Sequence, residues 1–245
     1  MDELREHPDV KELIETLDQN GMDKEKKEVL SLVDYIGGME KNLSEMLEEL
    51  KSMRSEINLI HNNTLKNKCI AIFHKTEEKI KQGFAVLGKV KDNFIRSAAN
   101  AVKVFKEKGK DAFKKVVSVM KIPETLDRLG NFFGRLSKDI ENDVSQLNSM
   151  QSELNSAKGH LKNVGLLLIG RESKEAEQVK KDKGILQKLG KLIDKLGKGF
   201  SNMSQRAMDA SDKLRFARVE SVKHKLEALK SAKPVNVKSE PPLDR

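Results

Sequence analysis

The stretch IGGMEKNLSEMLEELKSMRSEINLI, residues 36–60, decides how the rest of the chain is read. Ile36, Met39, Leu43, Met46, Leu50, Met53, Ile57 and Ile60 follow one another at alternating spacings of three and four. Val29 and Leu32 carry the same rhythm back toward the N-terminus. Such spacing places every apolar side chain on one narrow stripe of an α-helix. It predicts a single helix over about 24–61, whose stripe must be covered by another helix. Gly37 and Gly38 fall outside the stripe and weaken the helix only locally. Met39, Met46 and Met53 make this seam adaptable, because an unbranched thioether side chain conforms to its neighbours.

The same rule finds a second seam over 124–169. Leu126, Phe133, Ile140, Leu147, Leu154, Leu161 and Leu168 recur every seven residues, with Leu129, Leu136, Asp143, Met150, Ala157 and Val164 between them. A helix of that extent is about 70 Å long. Asp143 is the exception. Either it is a buried polar residue that fixes register, or the adjacent Val144 takes its place.

A third seam runs over 185–231, through Leu186, Leu189, Ile193, Leu196, Phe200, Met203, Ala207, Ala210, Leu214 and Ala217. It contains KLGKLIDKLGKGF (188–200), which in isolation resembles a membrane-surface peptide. Its Gly190, Gly197 and Gly199 predict close helix approach or a bend.

Between the first two seams, residues 64–122 carry a broader stripe that includes Phe73, Ile80, Phe84, Leu87, Val90, Phe94 and Phe105. Gly83, Gly88 and Gly109 interrupt it and predict kinks, and Pro123 ends or bends it. At the N-terminus, Pro8 and the spacing of Val10, Leu13, Ile14 and Leu17 predict a short helix over 8–19, stopped by Asn20-Gly21. The stretch 170–184 has charge but no seam and reads as a connector. The last residues hold three of the five prolines and no periodicity, as expected of a disordered tail.

The expected organisation is therefore an acidic N-terminal part (1–62), a basic amphipathic region (63–122), a long heptad helix (123–169), a connector (170–184), a basic heptad helix (185–231) and a tail (232–245). The fold class is all-α: an elongated coiled-coil bundle of long helices, closed within one chain or between chains.

Charge adds an order to these segments. Residues 1–60 hold 16 acidic and 8 basic side chains, net −8. Residues 61–122 hold 5 acidic and 15 basic, net +10. The next stretch, 123–178, is near neutral with 9 acidic and 7 basic, and 179–233 returns to net +9 with 6 acidic and 15 basic. Helices that alternate in sign select one another when they fold back, although each exposed pair contributes only about 0–1 kcal/mol.

The chemistry-bearing residues are few. His61 and His74 flank the single Cys69 at spacings that point in different directions around a helix, so no metal set is expected. There is no phosphate-binding glycine loop and no nucleophile elbow. Glu48-Glu49 and Glu77-Glu78 read as solvated faces, so the sequence points away from enzymes and implies no cofactor or small-molecule substrate. One cysteine and a polar, acidic N-terminus suit a reducing, cytoplasmic setting.

The leading expectation is a non-enzymatic structural or protein-interaction module working through its seams, with protein partners or itself. The first alternative is contact with nucleic acid through two lysine faces, Lys103, Lys106, Lys110 and Lys114, and Lys188, Lys191, Lys195 and Lys198. Few aromatics interleave with these lysines. The second alternative is an anionic lipid surface met by the same basic helices.

Four passages carry a resemblance: HPDVKELIETLDQNGMDKE (7–25), YIGGMEKNLSEMLEELKSMR (35–54), SAANAVKVFKEKGKDAF (97–113) and SAKGHLKNVGLLLIGRE (156–172). Across about residues 5–172 the chain resembles an uncharacterised family of helical proteins of anaerobic Gram-positive bacteria, often encoded on conjugative or other mobile elements. The resemblance implies a mostly helical, cytoplasmic accessory protein. It implies no catalytic residue.

Overall fold

The fold is taken from a computed structural model. It describes the backbone of residues 3–167 and 174–231, and the side chains of residues 3–156, 177–216 and 227. Five helices follow one another: α1 (Pro8–Gln19), α2 (Asp23–Asn58), α3 (Asn63–Ser118), α4 (Ile122–Leu167) and α5 (Lys174–Ser231). No strand occurs among the described residues.

The chain is an elongated all-α bundle in which α2 to α5 alternate in direction. Each long helix lies against the next, and α5 returns to α2, so the four close a ring. The short α1 packs at one end, on α2 and α3. It ends where the sequence says it should. Gly21, at φ 64°, donates its N–H to Asp18 O, and Met22 N–H reaches Leu17 O, closing a Schellman turn.

The seams are buried inside this one chain. All ten positions from Val29 to Ile60 on the first seam are buried, with Met46 the most accessible at 8%. Leu126, Leu129, Phe133, Leu136, Ile140, Leu147, Met150 and Leu154 on the second seam are buried too. So are Leu186, Leu189, Ile193, Leu196, Phe200, Met203 and Ala207 on the third. Burial of such side chains contributes about 1.5–3 kcal/mol each, and it is the main force closing the ring. The side chains of Ala157, Leu161, Val164, Leu168 and Ala217 lie outside the described residues, as does the tail 232–245.

Two sequence expectations need correction. The stretch 170–184 is not a connector over its whole length, because α5 begins at Lys174. Absence of a seam does not prevent a helix there. Glu, Ala, Gln and Lys are strong helix formers, and Glu177 pairs with Lys181 one turn on, at 3.0 Å. The second correction concerns the glycines. Of Gly83, Gly88 and Gly109, only Gly109 leaves helical geometry, at φ 77° and ψ −170°. That region of backbone space is open essentially to glycine alone. Phe105 and Phe113 meet edge to face across the break, with centroids 5.3 Å apart. Gly83 instead stays helical and receives Leu43: a Cβ there would lie 3.0 Å from its methyl carbon. Gly190, Gly197 and Gly199 lie within uninterrupted α5.

Candidate functional site: the polar contacts between helices

The α4–α5 contact is by far the most extensive in the molecule. Three buried serine hydroxyls explain its register. Ser211 Oγ donates to Pro123 O at 3.0 Å, Ser204 Oγ to Gly130 O at 2.7 Å, and Ser137 Oγ to Gly197 O at 3.0 Å. The α4 partners ascend in steps of seven while the α5 partners descend in steps of seven, so the helices are antiparallel. Small residues at the same positions let the backbones approach. A Cβ on Gly130 would lie 3.2 Å from Ser204 O, and one on Gly197 would lie 2.9 Å from a methyl carbon of Ile140. Gly199 has the same role toward α2, where its missing Cβ makes room for Met46. The signal for these rungs was present as Pro123, Gly130, Ser137 and as Gly197, Ser204, Ser211. A search for apolar seams passes over it.

The α3–α4 contact is built differently. Asp143, fully buried, accepts from Lys75 Nζ at 2.7 Å and from Lys79 Nζ at 2.5 Å. The Lys79 side chain is 7% exposed, so this is a charge pair inside the bundle. Of the two readings of Asp143, the structure selects the buried one; Val144 is only half-buried.

At the far end of the bundle, buried Asp182 of α5 holds the turn between α2 and α3. Its two carboxylate oxygens accept the backbone N–H groups of His61 at 3.0 Å and Asn62 at 3.1 Å, and His61 Nδ1 lies 3.2 Å away. Asn62 then caps α3 by accepting from Leu65 N–H. Burial pushes the thiol of nearby Cys69 up to about 11, and the negative charge of Asp182 adds to the effect. The thiol is therefore protonated and poorly nucleophilic at neutral pH. Burial also raises the Tyr35 phenol, against an opposing effect of Arg206. Its hydroxyl donates to Met203 O at 3.0 Å and ties α2 to α5.

The two lysine faces read from the sequence are mostly turned to internal use. Lys188 pairs with Glu56 at 2.7 Å and Lys195 with Glu49 at 2.5 Å, both across α5 to α2. Lys106 pairs with Glu12 of α1 at 2.6 Å, and Lys110 donates to Asn20 O. Lys198 and Lys103 pair along their own helices, with Asp194 and Glu107. Lys114 and Lys191 have no ion pair among the described residues. Lys103 and Lys106 also lie on the other side of the Gly109 break from Lys114, so residues 103–115 are not one straight face. Oppositely charged pairs join successive helices, as in Lys91–Glu40 and Lys79–Asp143, and also join α2 to α5, which the alternation between successive helices did not call for.

Among the described residues no group of three or more His, Cys, Asp or Glu is placed to hold a metal ion. No helix among them is long and apolar enough to cross a membrane.

The molecule is thus an all-α bundle whose distinctive residues fasten helices to one another. A family model described as a family of unknown function (DUF6674) matches residues 6–245, and the chain belongs to that family. No curated protein and no solved structure matches it.

Proposed function

We propose that the chain is a non-enzymatic helical module serving structural or protein-interaction work in the cytoplasm, as an accessory protein of a mobile genetic element. The observation behind this reading is that the chemistry-bearing residues are engaged in joining helices. Asp143, Asp182, Tyr35 and the three rung serines each contact another helix or a turn. The seams close within the chain, so a partner meets the outer faces and not the seam residues.

The reading is tested by affinity capture from the native host, with wild-type chain and a Lys188→Glu, Lys195→Glu variant compared for duplex DNA binding in parallel. It expects defined protein partners at stoichiometric yield, and no DNA shift at low salt. Binding to DNA that falls steeply with salt, without a protein partner, would instead establish the nucleic-acid alternative.

A further inference from the structure

The helix α4 is held close to α5 near its N-terminus by Gly130, Ser204 and Ser211, and is tied to α3 further along by Asp143. Before the level of Asp143, on the side of α4 away from the rungs at Pro123 and Gly130, α3 and α4 leave a gap. The gap is a groove of about 370 Å³, open to the surface on one side. Its floor is Leu32 of α2, and its walls are Val90 and Phe94 of α3 with Leu129 of α4 and Met120 of the preceding turn. Leu32, Phe94 and Leu129 are buried beneath it, while Val90 and Met120 are only partly covered. The broad stripe on α3 is wider than the bundle covers, and the groove is where the surplus lies.

Beside the neutral Asn93, Ser97 and Thr125, the charged residues that line the groove are of one sign. Lys89 stands on the α3 wall and Arg128 on the α4 wall, and no carboxylate lines it. Arg128 donates from Nε to Glu124 O at 3.2 Å and lies 3.4 Å from Thr125 Oγ1. Neither cation has a carboxylate within ion-pair distance among the described residues. That contrasts with Lys188, Lys195 and Lys106, whose neighbours neutralise them. Glu124 precedes Arg128 by one turn but does not line the groove.

We propose that this groove binds an amphipathic anion: one unbranched hydrocarbon tail between α3 and α4, ending in a carboxylate held by Lys89 and Arg128. Apolar walls with a few convergent polar groups are the usual make-up of a ligand site, and ~370 Å³ is at the small end of the ~300–1,000 Å³ such sites occupy. That size admits one tail rather than two. Two unpaired cations at the rim select the charge of the head group, and the guanidinium favours a carboxylate through paired hydrogen bonds. The site is independent of the interaction role proposed above, since its rim cations Lys89 and Arg128 are not part of the lysine faces at 103–114 and 188–198.

The test is titration calorimetry of the full chain with sodium dodecanoate, kept below its micelle concentration, against dodecyltrimethylammonium as the head-group control. Saturable one-to-one binding of dodecanoate is expected, with the cationic amphiphile at least about tenfold weaker. Lys89→Glu combined with Arg128→Glu should weaken dodecanoate about tenfold or more without altering helicity, because both side chains are exposed. Val90→Asp should weaken both amphiphiles. Equal binding of the two head groups, dodecanoate affinity unaffected by the double charge reversal, or no saturable binding would each overturn the proposal.

Discussion

Helix α4 meets its two chain neighbours, α3 and α5, by opposite means. Toward α5 it presents Gly130, Gly134 and Ser137, and the backbones come close enough for serine hydroxyls to reach the opposing carbonyl oxygens. Toward α3 it is fastened by a single buried carboxylate under two ammonium groups. The first interface is continuous and dense, and the second opens into a groove. Small residues at seven-residue spacing give proximity along the length of a helix. A lone buried charge gives register at one level only. The bundle needs both, because apolar seams alone do not specify which helix lies beside which.

The largest effect should come from breaking the α3–α4 fastening on one side. Asp143→Ala leaves Lys79 buried without its counter-charge and should destabilise the chain by about 3–5 kcal/mol in urea unfolding. Asp143→Leu combined with Lys79→Met should recover most of that loss. If the double variant were as unstable as Asp143→Ala, apolar packing could not replace the triad and the register argument would gain weight. The α4–α5 interface should fail through bulk instead of charge. Gly130→Val drives its side chain against Ser204 O, which is backbone and cannot swing away, at a cost of about 1–3 kcal/mol.

Gly109→Ala should cost a similar 1–3 kcal/mol or so for a different reason: nothing lies within 4 Å of the new methyl, so the loss is backbone strain alone. A neutral Gly109→Ala would mean the break between the two legs of α3 is not held at φ 77° in solution. The smallest effect belongs to the exposed ion pairs between α2 and α5. Lys195→Ala should change stability by less than about 1 kcal/mol, since the Lys195 side chain is 67% exposed and its pair is screened by salt.

Much of this architecture was legible in the residues. The run from Val29 to Ile60 gave away a complete seam because helical periodicity is a direct consequence of 3.6 residues per turn. The sign alternation pointed to pairing between successive helices, which Lys91–Glu40 and Lys79–Asp143 realise, while the α2–α5 pairs Lys188–Glu56 and Lys195–Glu49 join helices that are not successive. Other features were not legible for identifiable reasons. The helix over 174–184 was missed because its stability rests on propensity and local pairs, which leave no apolar stripe. Asp182 looked like one more charge in that stretch, although it holds the α2–α3 turn about 120 residues away in sequence. The serine rungs were written at heptad spacing but in residue types that a hydrophobic pattern ignores. The groove had no linear signature at all. Lys89 and Arg128 come to line one groove only when α3 and α4 fold side by side.

The central claim is that the three seams close on one another within a single chain. Sedimentation equilibrium over about a hundredfold range of concentration tests it most directly. The account predicts one species of 27.6 kDa throughout, since every apolar position of the first two seams among the described residues is already buried within the chain. A mass that rises to twice that value with concentration, and falls back when Leu50 or Leu147 is changed to Asp, would contradict it by placing the seams between chains.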